Sequence, residues 1–295
     1  MSHETGRQTT EVDRTDSPYE SLVEWLTVYG ERAGDAVVYS SAYLGVIAMV
    51  QVAIVMVLLS VPPNPAPVVV GLVVFAVYAN DRIVDVDTDV VTAPKQASFV
   101  RRYRGELYVL AAASYGFAVA LSAIGGPSAL AITVIPGVLW VFYAREWTPT
   151  IGPHIRRLKE LLLVNSIVVA LGWSLALTFL PLAYGGTVAD PVVAVIFAYY
   201  FLGTFANTEL PNVFDMEADA AIGVSTLPLA VGVDRTRQLL YGIDLLVAAV
   251  VGAAVLVDVL PLLFAAPLLA GVGYSLCVTG CLGRVKNGRV LTIAA

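Results

Sequence analysis

Eight apolar runs dominate this chain, at residues 41–61, 67–88, 106–124, 127–145, 160–182, 189–211, 236–258 and 259–282. Each approaches the roughly 20 residues that an α-helix needs to cross the hydrocarbon core of a bilayer. Pro, Gly or charged residues separate each run from the next. Composition agrees: 58% of residues are hydrophobic and 14% charged, and the mean hydropathy of +0.79 lies far above that of a soluble domain. The expected fold is all-α, a polytopic transmembrane bundle of about eight helices embedded in a lipid bilayer.

The breaks between runs carry a second pattern. VPPNPAP, IGGP and LAYGGTVADP hold no Lys or Arg, whereas all 17 basic residues fall in the alternate set of segments. By the positive-inside rule that set faces the cytoplasm, together with the N-terminus. Residues 1–36 are polar, without the basic start and apolar core of a secretory signal, and Tyr19 to Val28 reads as a short interfacial helix. The sequence thus divides into a polar cytoplasmic segment at 1–36, a membrane domain at 37–283 and a short cytoplasmic tail at 284–295. A net charge of −6 gives no basic footprint, so nucleic acid is not an expected partner. Cys277 and Cys281, four residues apart in one apolar run, read as packing residues rather than a disulfide or metal pair.

Two acidic clusters end membrane-length runs: Asp81, Asp85 and Asp89 close the second, and Glu209, Asn212, Asp215 and Asp219 close the sixth. Carboxylates at bilayer depth cost several kcal/mol, so their grouping on two segments requires a cation or a catalytic task. Steps of three and four place each cluster on one helix face, the first within about 80° and the second within about 120°. Four crossings separate the two, which returns both to the cytoplasmic mouth of one bundle. A charged head group can enter a cavity there while an apolar tail runs down between helices.

Carboxylate oxygens are hard ligands, and acidic faces with open coordination places suit Mg²⁺ shared with substrate phosphates. Zn²⁺ is disfavoured, since neither histidine nor cysteine adjoins a cluster. Arg82, Arg101, Arg102, Arg104, Arg145 and Lys159 lie at the same mouth, where cations can take remaining phosphate oxygens. Metal, diphosphate and an apolar bundle together point to polyprenyl chemistry.

The stretches YANDRIVDVDTD at 78–89 and NVFDMEADAAIGVSTLPLAVG at 212–232 resemble the two motifs of the UbiA-type intramembrane prenyltransferases, NDxxDxxxD after helix two and DxxDxxxD after helix six. Gly223, Thr226, Leu227 and Pro228 match the GxxTLP segment that follows, and FYAREW at 142–147 with RLKELLLVN at 157–165 is similar to the family's tyrosine- and base-containing segment. The likeness runs from about 40 to 282. It implies Mg²⁺ held by Asp81, Asp85, Asp89, Asp215 and Asp219, and an allylic polyprenyl diphosphate donor met by Asn80, Arg82, Tyr143, Arg145, Lys159, Glu209 and Asn212. It further implies a lipophilic acceptor, whether carotenoid, quinone ring or lipid precursor. Tyr78, Tyr143, Trp173, Tyr199 and Tyr200 lie on segments able to line the cavity and face the allylic cation, although packing is the commoner use of such rings.

Departures accompany the matches. Asp81 stands where the family has Asn, Arg82 where it has its first Asp, and Asn212 replaces an Asp. TAPKQASFVRRYRGE lacks the NRPxRP pattern common in quinone and archaeal lipid enzymes, which favours a non-aromatic acceptor such as a carotenoid. Nine crossings are usual in the family, so a ninth helix is either absent here or replaced by an irregular tail after Cys281. A divalent-cation transporter is the main alternative, but its acids would lie near the midplane rather than at helix ends among cations. A CDP-alcohol phosphotransferase would need a DGxxAR start that this chain lacks. Asp244, inside the seventh run, reads as a residue near the cytoplasmic end.

Overall fold

The computed structural model describes residues 33–87, 93–144, 163–185, 191–216, 219–220 and 225–282, with Gly30 and Val90. All regular structure among them is helical. In chain order the helices are α1 (Ala33–Tyr39), α2 (Ala42–Leu58), α3 (Ala66–Val84), α4 (Pro94–Arg102), α5 (Arg104–Ile124), α6 (Gly126–Ala144), α7 (Val164–Gly185), α8 (Pro191–Phe214), α9 (Leu227–Val231), α10 (Val233–Leu256) and α11 (Leu262–Cys281). A helix occupies each of the eight apolar runs. Six of these helices are long and apolar enough to cross a bilayer; α1 and α2, bent by 74°, make a seventh candidate, and α6 is a shorter apolar helix over Gly126–Val138. The interfacial helix expected at 19–28 and the tail after 283 lie outside the described residues.

Local chemistry sets the helix ends. Prolines occupy the first turns of α3, α4 and α9, where the missing N–H has no intrahelical partner to lose. In the VPPNPAP break, the Asn64 side-chain oxygen accepts from the Ala66 amide at 3.0 Å while its amide nitrogen donates to the Pro181 carbonyl of α7 at 3.2 Å. One short polar side chain thus starts α3 and ties its N-terminal end to α7. At the other end of the chain, Gly232 with φ +84° joins α9 to α10 in a conformation that L side chains rarely adopt.

The core joins α2, α3, α7, α8, α10 and α11 through Val52, Val69, Leu177, Ile196, Val251 and Leu268. Lipid tails are as apolar as these side chains, so close packing rather than water exclusion holds the helices together. Gly45 and Gly71 show the consequence. A Cβ on Gly45 would stand 2.8 Å from the Gly71 carbonyl, and one on Gly71 would stand 2.4 Å from Met49 Cγ. Gly71→Leu is therefore expected to force α2 and α3 apart and destabilise the protein by about 1–3 kcal/mol, read as a lowered midpoint of thermal unfolding in detergent.

Three features of this architecture place the acidic helix ends. The helix α7 packs against both α3 and α8. On one face of α7, two turns apart, the Trp173 indole N–H donates to Tyr78 Oη of α3 at 3.0 Å and Ser166 Oγ donates to Glu209 Oε1 of α8 at 2.5 Å. Tyr78 precedes Asp81 by one turn, and Glu209 precedes Asp215 by less than two. The C-terminal ends of α3 and α8 thus share the end of the bundle at which α7 begins.

Candidate active site

The first cluster forms where α3 stops. Asp81 and Arg82 lie in its last turn, and Asp85 closes it, its amide donating to the Asp81 carbonyl at 2.9 Å. Asp81 Oδ1 is buried. The Asn80 side chain donates to the Ala76 carbonyl at 2.8 Å, back along its own helix. Asp87, on another side, pairs with Arg101 at 2.7 Å; with side-chain exposures of 85% and 54% this is a surface pair of little energetic weight. Asp89 falls outside the described residues.

The second cluster is built on two turns. Glu209 is 1% exposed, and its carboxyl group accepts from Ser166 at Oε1 and from Asn212 Nδ2 at Oε2, the latter at 3.0 Å. Pro211 follows, and the helical bonding continues past it: the Asp215 amide donates to the Pro211 carbonyl at 3.1 Å and the Asp219 amide to the Asp215 carbonyl at 2.8 Å. That spacing keeps the two aspartates on one face. Asp219 is pushed up to about pKa 6, first by burial and then by the charge of Asp215, with the Thr226 hydroxyl opposing both. Thr226, which caps the start of α9 in extended conformation, is the member of the TLP triplet whose hydroxyl faces Asp219.

Of the other residues singled out in the sequence, Tyr143 falls in the last turn of α6 with its side chain outside the described residues, as are Arg145 and Lys159. Tyr199 and Tyr200 belong to the packed interior: Tyr199 Oη donates to the Leu268 carbonyl of α11 at 3.4 Å, and Tyr200 is buried in the core. Tyr78 and Trp173, edge to face with ring centroids 6.3 Å apart, are the aromatic pair one turn below Asp81. Asp244 is not a rim residue. It is 2% exposed and accepts from Ser275 and Thr279 of α11 at 2.8 and 3.5 Å, an interhelical tie within the bundle. Ser166 was not legible as a site residue, because a lone serine at a helix start carries no distinguishing pattern.

Among the described residues no three acidic, histidine or cysteine side chains converge at metal-ligand range. The donors come as carboxylate pairs, Asp81 with Asp85 and Asp215 with Asp219. Such a set does not form a closed cage, and it fits Mg²⁺, which keeps open places for substrate phosphates and is held by few carboxylates. Burial first and the neighbouring Asp215 charge second raise the pKa of Asp219, and a cation held between the two carboxylates would relieve the second of these.

Comparison with known proteins bears on the fold and the family. The model of the UbiA prenyltransferase family matches residues 48–286. The digeranylgeranylglyceryl phosphate synthase of Sulfolobus acidocaldarius is 24% identical over 168 residues, a stretch covering 57% of this chain and 57% of that protein. A UbiA homolog from Archaeoglobus fulgidus bound to GPP and Mg²⁺ superposes with a TM-score of 0.66 at 15% identity, covering 88% of this chain and 93% of the other. The same homolog bound to DMAPP and Mg²⁺ gives 0.64 at 15%, with the same coverage. A structure concerned with digeranylgeranylglyceryl phosphate synthase in membranes gives 0.61 at 14%, covering 90% and 92%. These likenesses establish the fold, and the family match over most of the length establishes that this multi-pass membrane chain belongs to the UbiA prenyltransferase family.

Proposed function

We propose that this chain transfers a polyprenyl group from an allylic diphosphate to a lipophilic acceptor in a Mg²⁺-dependent reaction at the cytoplasmic end of its bundle. The observation that supports the proposal is that the two helices ending in acidic clusters, α3 and α8, are both tied by hydrogen bonds to one face of α7, in a member of a prenyltransferase family. Family membership leaves the cation-transporter reading without support. The Archaeoglobus homolog, bound to DMAPP or GPP with Mg²⁺, supports the choice of donor and ion. The cytoplasmic orientation rests on the charge bias of the connecting segments. Residues 37–283 form the transferase domain in this reading, flanked by cytoplasmic segments at 1–36 and 284–295.

Asp81, Asp85, Asp89, Asp215 and Asp219 would hold Mg²⁺, which when bound neutralises diphosphate charge and makes it a better leaving group. Arg82, Arg145 and Lys159 would share that charge through hydrogen bonds, and Asn80 and Tyr143 would add polar contacts to the donor. Glu209 and Asn212, bonded to each other and to Ser166, act on the site by fixing the end of α8. As the C1–O bond breaks, both electrons leave with diphosphate. The allylic cation is then held against the Tyr78 and Trp173 rings, in an apolar bundle that excludes water, until the acceptor supplies an electron pair and loses a proton. The absence of an NRPxRP loop favours a non-aromatic acceptor. A carotenoid is the leading candidate, and the name of the Sulfolobus relative supports testing a glyceryl phosphate lipid beside it.

The test is transfer of label from geranylgeranyl diphosphate by the purified protein with Mg²⁺ and, in separate arms, a carotenoid, a glyceryl phosphate lipid and a quinone ring precursor. Product in one arm is expected, and product in none refutes the reading. A second prediction concerns pH. Asp219 must be ionised to serve as a ligand, so protons compete with Mg²⁺ and affinity falls as pH drops through about 6, by at most about tenfold per unit for one proton. Mg²⁺ titrations of the donor-free protein between pH 5 and 8 should show this slope in the wild type and its loss in Asp219→Asn.

A further inference from the structure

The short helix α4 lies across the end of α3. Its Ala97 and Val100 are buried against Ile83, Val86 and Leu107, while Phe99 lies tilted between Tyr39 and Tyr103 with ring centroids 5.8 and 4.9 Å away. This packing holds the helix against the C-terminal end of α3 and brings Gln96 to Arg82. In the orientation that satisfies both groups, the Gln96 amide oxygen accepts from Arg82 Nε at 2.9 Å and from Nη1 at 3.1 Å. Nothing in the sequence marked Gln96. It is one uncharged residue in the basic stretch between Lys95 and Arg104.

We infer that Gln96 is a positioning residue for the donor diphosphate: its neutral amide holds the Arg82 guanidinium in place without cancelling its charge. The inference rests on the proposed role of Arg82 in donor binding. A free arginine side chain has about 2 kcal/mol of rotamer entropy to lose on engaging an anion, and a holder removes part of that cost beforehand. The identity of the holder matters. Arg82 already lies between Asp81 and Asp85 in sequence, so a third carboxylate would add to the negative charge around the guanidinium and weaken its claim on the diphosphate. An amide offers the same acceptor oxygen with no net charge. The requirement is peculiar to a chain that carries Arg82 where the related motif has an aspartate.

The experiment compares Gln96→Glu, Gln96→Met, Arg82→Gln and the double variant Arg82→Gln/Gln96→Glu in full-length protein. It measures equilibrium binding of geranylgeranyl diphosphate without acceptor, KM and kcat for the donor, and the unfolding midpoint. Gln96→Glu is expected to raise donor Kd and KM about tenfold, by neutralising one charged contact. Gln96→Met, which deletes this acceptor without adding charge, should raise them about threefold. Both should leave kcat within about twofold. A purely structural role predicts the opposite order, since Glu preserves and strengthens the hydrogen bond to Arg82 whereas Met deletes it. In the Arg82→Gln background the Gln96→Glu effect should vanish. If it persists, or if Gln96→Glu binds donor as wild type does, the inference is overturned while Arg82 keeps its role. If Arg82→Gln itself leaves donor binding unchanged, the reading of Arg82 beneath it fails, and with it the inference.

Discussion

Asp85→Asn and Asp215→Asn are each expected to lower prenyl transfer on the order of 10³-fold, the loss of about 4 kcal/mol of stabilisation for a departing diphosphate. Asn keeps the size of the side chain and one acceptor oxygen at a helix end, so the unfolding midpoint should stay close to that of the wild type. The two variants differ in a way that separates the clusters. Asp215 raises the pKa of Asp219 by like-charge repulsion, so Asp215→Asn should also let Asp219 ionise at lower pH and move the pH dependence of Mg²⁺ affinity downward. Asp85→Asn, on α3, should leave that dependence in place. If both carboxylate pairs serve one diphosphate, the double variant loses far less than the product of the two single losses. Transfer that survives in either single variant would remove the corresponding cluster from the site.

Much of this arrangement is legible in the amino-acid order because two periodicities carry it. Apolar length defines where helices run, and polar residues at steps of three and four define the face they share, so Asp81, Asp85 and Asp89 read as one group in the sequence and Glu209, Asn212, Asp215 and Asp219 as another. The boundaries of α3, α5 and α10 moved by only a few residues from the apolar runs, since Pro, Gly and charge mark them. What could not be read is pairing across helices. Ser166 meets Glu209 over 43 residues of separation and Trp173 meets Tyr78 over 95, and no local pattern encodes either partner. Asp244 shows the same limit from the other side. Its charge suggests a wet helix end, yet Ser275 and Thr279, more than 30 residues on, supply the donors that let it lie within the bundle. Bends are similarly hidden: the 74° angle between α1 and α2 falls at Ser40 and Ser41, where Ser41 takes a positive φ of 63° that an apolar run does not announce.

The buried pairing between α7 and α8 is where stability and function should move together. Glu209→Ala removes a side chain that is 1% exposed and leaves the Ser166 and Asn212 donors to find other acceptors. Interhelical hydrogen bonds in membranes average about 0.6 kcal/mol and reach about 1.7. Adding the cavity left by the missing atoms gives an expected loss of about 2–4 kcal/mol. Glu209→Gln keeps the volume and an oxygen for Ser166 but sets an amide nitrogen against Asn212, so it should fall between Ala and wild type. The cycle of Ser166→Ala, Glu209→Ala and the double variant should return a coupling of about 0.5–2 kcal/mol. Asp215 lies less than two turns beyond Glu209 on the same helix, so loosening this tie should also weaken Mg²⁺ affinity without altering any ligand. An unchanged unfolding midpoint in Glu209→Ala would show that the carboxyl group does not hold α7 to α8. A lowered midpoint with unchanged Mg²⁺ affinity would show instead that the end of α8 keeps its acids in place by its own turn, from the Pro211 carbonyl through Asp215 to Asp219.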